Sequence, residues 1–68
     1  MYRLISWRMV MQNGSGSSEG MSYMFMPIVT RRAIARAQQA IRESVRIRQP
    51  QYRYDDGVVI LNMERVWF

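Results

Sequence analysis

The sequence predicts a small α+β domain in which an antiparallel sheet carries one packed helix, with the elements in the order β-β-α-β-β. Three observations carry that reading. Residues 2–12 and 58–68 alternate with the period of strands, residues 30–48 repeat with the period of a helix, and Gly/Ser-rich or Asp-Gly punctuation separates the segments. At 68 residues there is room for one domain only.

Residues 2–12, YRLISWRMVMQ, place Ile5, Trp7, Met9 and Met11 on one face with Arg3 at its start, so this strand should bury one side. Residues 13–20, NGSGSSEG, hold three glycines and three serines and read as a flexible hairpin loop. The same composition fits an engineered linker, in which case Met21 is an older start and residues 1–12 a fused segment. Residues 21–29, MSYMFMPIV, are apolar on both faces, which predicts a strand covered on both sides; Pro27 belongs at its end or edge.

Thr30 is the expected N-cap of a helix over 30–48, with Ile34, Ala37, Ile41 and Val45 as its buried stripe. Ala33, Ala35, Ala37 and Ala40 raise helicity and allow close approach to a sheet, and Gln49-Pro50 ends the helix. Tyr52-Arg53-Tyr54 reads as a short fourth element, joined in a hairpin by the Asp56-Gly57 turn to a final strand over 58–68. In that last strand Val59, Leu61, Met63, Arg65 and Trp67 form the more apolar face.

Composition narrows the function. Histidine, cysteine and lysine are absent, which removes the usual general base near neutral pH, the usual nucleophiles, and the usual zinc ligands. Ser15, Ser17 and Ser18 lie in the loop without a base, and Asp55-Asp56 read as turn residues before they read as a magnesium pair. Gly14 to Glu19 fails the dinucleotide fingerprint because Glu19 takes the third glycine position, and the stretch does not open a helix. The expectation is a chain that is not an enzyme, with no cofactor and no metal. A core this small usually needs a staple, and without disulfide or zinc the expected staple is a second copy, a homodimer or larger homo-oligomer. Seven methionines suit such an adaptable interface. No signal peptide and no membrane-spanning stretch is read, so the expected location is cytoplasmic.

Ten arginines oppose five acids, for a net charge of +5. Arg31, Arg32, Arg36, Arg42, Arg46 and Arg48 lie on the helix, with Glu43 as its one acid. Arg32/Arg36 and Arg42/Arg46 are like-charged pairs one turn apart, and Arg31 and Arg32 stand where the helix dipole disfavours cations. An anionic partner relieves both conflicts. Codon usage explains the absence of lysine equally well, but not this placement. The leading expectation is a small basic nucleic-acid-binding protein, for DNA or RNA, contacting phosphates through Arg31, Arg32, Arg36, Arg42 and Arg46, with Arg53 beside the helix end. Tyr52 and Tyr54 either stack on bases or cover the sheet, the second being the plainer role. The alternative is a protein-interaction module or inhibitor that binds an acidic protein surface, anchored by Trp7 and Trp67. A lipid surface fits less well, because the apolar stripe lacks large aromatic residues.

The run of strand, loop and strand into Thr30-Arg31-Arg32-Ala33 resembles, in outline, the arm-binding domains of phage-type integrases across residues 5–42. Those domains set a basic helix on a small sheet and bind DNA. The third strand they place before the helix is missing here and the matching residues are generic, so the resemblance assigns no family. Short chains rich in methionine and arginine are also common among phage and plasmid accessory proteins, a likeness of class only.

Overall fold

The computed structural model describes residues 1–14, 16–53 and 56–66. Strand β1 spans Tyr2–Val10, β2 spans Ser17–Phe25, helix α1 spans Arg31–Arg48, and β3 spans Gly57–Val66. The sheet order is β2-β1-β3 with both pairings antiparallel, so β1 is the central strand. The fold is α+β, as expected, but the order is β-β-α-β: three strands, not four.

The expected strand over 52–54 fails for a local reason. The Tyr52 N–H donates to Gln49 O at 3.1 Å, the Arg53 N–H donates to Asp56 Oδ2 at 2.7 Å, and Arg53 O accepts from the Asp56 N–H at 3.2 Å. These backbone groups are satisfied by turns and have nothing left for a ladder. Tyr52 buries its ring in the core, as its plainer role required. Tyr54 and Asp55 lie outside the described residues. The hairpin expected between residues 52–54 and the last strand gives way to pairing of β3 with β1, Val10 opposite Gly57 through Tyr2 opposite Val66.

β1 buries one face. Ile5, Trp7 and Met9 meet Ala37, Ile41 and Val45 of α1, and Met26, Tyr52 and Val58 complete the core. Each fully buried aliphatic side chain contributes about 1.5–3 kcal/mol. In β3 the buried face is the reverse of the one expected before the bulge, at Val58 and Ile60, and the expected one after it, at Met63. Val58 is buried and Ile60 and Met63 are half-buried, while Val59 and Leu61 are exposed. The cause is a register shift opposite Ser6 and Trp7: Trp7 pairs with Ile60 and Ser6 with Asn62, which leaves Leu61 as an extra residue. Such a bulge changes the parity of a strand, and strict alternation cannot foresee it.

The loop between β1 and β2 is shorter than the Gly/Ser run suggested, because Ser17 to Gly20 already belong to β2. The hairpin closes through Met11 N–H to Gly16 O at 3.0 Å and Gly14 N–H to Met11 O at 2.9 Å, with Gly14 at φ 72°. Ser18, Gly20 and Ser22 sit opposite Met9, Trp7 and Ile5 on the helix side of the sheet. There the indole of Trp7 spreads over β2 and its Nε1 donates to Ser22 Oγ at 3.2 Å. A Cβ on Gly20 would stand 2.6 Å from Trp7 Cζ2. The small residues make room for the tryptophan.

α1 begins where the sequence placed it: Thr30 is the N-cap and its hydroxyl accepts from the Ala33 N–H at 3.0 Å. At the other end the Gln49 N–H donates to Val45 O at 2.7 Å. The helix leans toward β3, held by Gln38 Nε2 to Val58 O at 3.1 Å and Arg42 Nε to Asp56 O at 3.1 Å. Among the described residues the opposite face of the sheet carries no helix, so Met21, Tyr23 and Phe25 of β2 are exposed on a side that was expected to be covered.

Gly20→Ala is expected to destabilise the fold by about 1–3 kcal/mol, because the buried indole has to shift. Denaturant unfolding measures it; a change within 0.5 kcal/mol, on the order of a surface substitution, would contradict the packing of Trp7 on β2.

Candidate functional site

The six arginines expected to bind an anion fall into three environments. Arg31, Arg32 and Arg36 are exposed on the first turn and a half of α1. Among the described residues their side chains have no hydrogen-bond or ion-pair partner. The first turn holds no acid, so the positive end of the helix dipole adds to these guanidiniums. Arg32 and Arg36 stand one turn apart and edge a groove of about 490 Å³ whose apolar walls include Met24, Met26, Ala33 and Ala37. The groove exists because α1 leans to β3 and leaves a gap above β2.

Arg42 has a different occupation. It is half-buried, its Nε donates to Asp56 O, and its Nη1 donates to Gln39 Oε1 at 3.0 Å. Arg46 is half-buried and makes an interaction of its own. Arg53 is exposed but lies elsewhere, lining a depression of about 410 Å³ with Gln12, Asn13 and Gln51. The structure therefore brings Arg32 and Arg36 together with Arg31 beside them, and it does not bring Arg42 or Arg53 to the same surface. Glu43 accepts from Gln39 Nε2 at 3.1 Å, and Arg48 Nε reaches Ser44 O at 3.4 Å.

Asp56 explains the setting of Arg42. Its carboxylate is 1% exposed and accepts from the Gln12 N–H at 2.8 Å as well as from the Arg53 N–H. One side chain thus ties the end of β1 to the turn before β3, and Arg42 holds the carbonyl of the same residue. The sequence marked Asp56 as a turn former. Its bond to Gln12, 44 residues away, has no local signal.

Two anchors of the protein-interaction alternative change status. Trp7 is 4% exposed and is a core residue, unable to act as a surface anchor; its position on the apolar face of β1 carried that signal. Trp67 lies outside the described residues. No described helix is long and apolar enough to cross a membrane.

Arg42→Ala is expected to lower the melting temperature, because the carbonyl of buried Asp56 and the side chain of Gln39 lose a charged donor, at a cost of about 1–3 kcal/mol. Arg36→Ala is expected to stay within about 0.5 kcal/mol of the parent. Thermal melts of both decide it; equal effects would contradict the division between structural and exposed arginines. No family model, no curated protein and no solved structure matches this chain, so a functional reading rests on the geometry of these side chains.

Proposed function

We propose that this chain is a small basic nucleic-acid-binding protein that contacts phosphates through Arg31, Arg32 and Arg36 and performs no catalysis. The observation that carries the reading is the placement, at the N-terminal end of one helix, of three exposed guanidiniums that have no partner among the described residues. Guanidinium forks match phosphate oxygens, and the dipole strengthens the same potential. Neutralising phosphates also removes the like-charge repulsion between Arg32 and Arg36. Arg46 lies further along the same helix, and Arg53, beside the other groove, takes no part in this contact. Arg42 serves it indirectly by fixing the helix against the turn at Asp56.

A second reading has its own support. The groove beside Arg32 and Arg36 has apolar walls, which a phosphate backbone would not use and an acidic segment with apolar side chains would.

The test is titration of a labelled duplex and a labelled single strand at two salt concentrations. Binding is expected at low salt, with a steep loss as salt rises. Replacing Arg31, Arg32 and Arg36 by alanine is expected to flatten the log–log salt slope by about 2–3, close to 0.9 per phosphate on a duplex. Undiminished binding by that variant sinks the assigned surface. A parent protein that ignores both strands at low salt, yet binds an acidic apolar peptide in a manner dependent on Arg32, belongs to the second reading.

A further inference from the structure

We propose that the open face of the sheet is an interface with a second copy of this chain. The inference is independent of what the arginines of α1 bind.

Register collects the side chains. On the face away from α1, Tyr2 lies opposite Phe25, with their rings edge to face at 5.5 Å, while Tyr23, Met21 and Val59 oppose Leu4, Ser6 and Arg8. The bulge adds Leu61 beside Asn62. Met21 is 69% exposed, Phe25 65%, Tyr23 58% and Leu61 53%. Six such side chains leave on the order of 700 Å² of mainly apolar surface bare on each copy, taking about 150–250 Å² for a whole aromatic side chain. That exceeds the largest apolar patch of a typical monomer, about 300–600 Å². Two copies covering most of it would bury well over 1,000 Å², about the threshold for a specific interface.

Charge decides between occupants. Arg8 is tied to Glu19 by contacts of 2.6 and 2.7 Å, and Glu64 lies opposite Leu4 on the same face. Among the described residues this face therefore has no excess of positive charge, although the whole chain carries +5. A nucleic acid has no electrostatic reason to settle here, and an identical face meets no cationic repulsion. Packing two sheets face to face turns both α1 helices outward. With layers about 10 Å apart, the helix axes stand about 30 Å from each other, several Debye lengths at physiological salt. The dimer thus presents two basic faces directed away from each other.

The experiment uses the full chain without ligand. Sedimentation equilibrium at physiological salt should give a species of about 16 kDa, twice the 8.1 kDa chain. Met21→Glu with Phe25→Glu should halve that mass, while Arg32→Glu with Arg36→Glu should leave it unchanged. Because the natural chain has no cysteine, single spin labels at Met21→Cys or Arg36→Cys report the arrangement in a folded dimer. The distance between labels at position 21 should be the shorter. A parent protein that is monomeric at high concentration overturns the proposal, as does a shorter distance at position 36. A monomer in which Tyr23→Ala with Phe25→Ala abolishes single-strand binding makes the face a stacking platform, and also overturns it. A monomeric parent leaves the duplex titration of the arginine surface untouched, so the two proposals can fail separately.

Discussion

One helix has to stabilise a three-stranded sheet, and it is too narrow to cover it. An α-helix with side chains is about 10–12 Å across, while three strands occupy about 14 Å from edge to edge. α1 settles over β1 and β3, where Gln38 and Arg42 donate to backbone carbonyls of the β3 end. β2 is left to Trp7, whose indole reaches sideways across Gly20 to Ser22. Both open surfaces of the molecule follow from that geometry. The gap between α1 and β2 is the groove beside Arg32 and Arg36, and the uncovered side of the sheet is the apolar face.

The arginines divide along the same lines. Arg3 donates to Met26 O at 2.8 Å and Arg42 to Asp56 O, so both brace the backbone where chain segments meet. Arg8 is neutralised by Glu19 on the open sheet face. Arg31, Arg32 and Arg36 stay outside these internal bonds. A planar fork of donors suits both tasks, the bracing of carbonyls and the reading of phosphates. Arginine content alone therefore says less about function than which guanidiniums the fold leaves unspent.

Much of this was legible in the sequence. The cap at Thr30, the stripe through Ala37, Ile41 and Val45, and the buried set Ile5, Trp7 and Met9 all follow from local periodicity, and the structure has them in place. What escaped depends on contacts distant in the chain. The Gly/Ser run looked like loop because small residues signal flexibility. Ser17 to Gly20 are strand because a tryptophan from β1 needs the space. β2 looked covered on both sides because both faces are apolar, and a periodicity argument cannot separate a covered face from one awaiting a partner. A single extra residue at Leu61 switched the buried face of β3 from Val58 and Ile60 to the expected Met63. In the candidate site, Arg31, Arg32 and Arg36 were legible from spacing, but the structural duty of Arg42 required knowing that Asp56 bridges to Gln12.

The central claim is a separation of tasks: anions at the start of α1, and a like copy on the open sheet. Backbone amide shifts during titration of the full chain with a short duplex test it most directly. The account predicts salt-sensitive shifts concentrated on residues 30–37, with the amides of 21–25 and 59–61 unmoved. Shifts that appear first along 21–25 and spare the helix would contradict it.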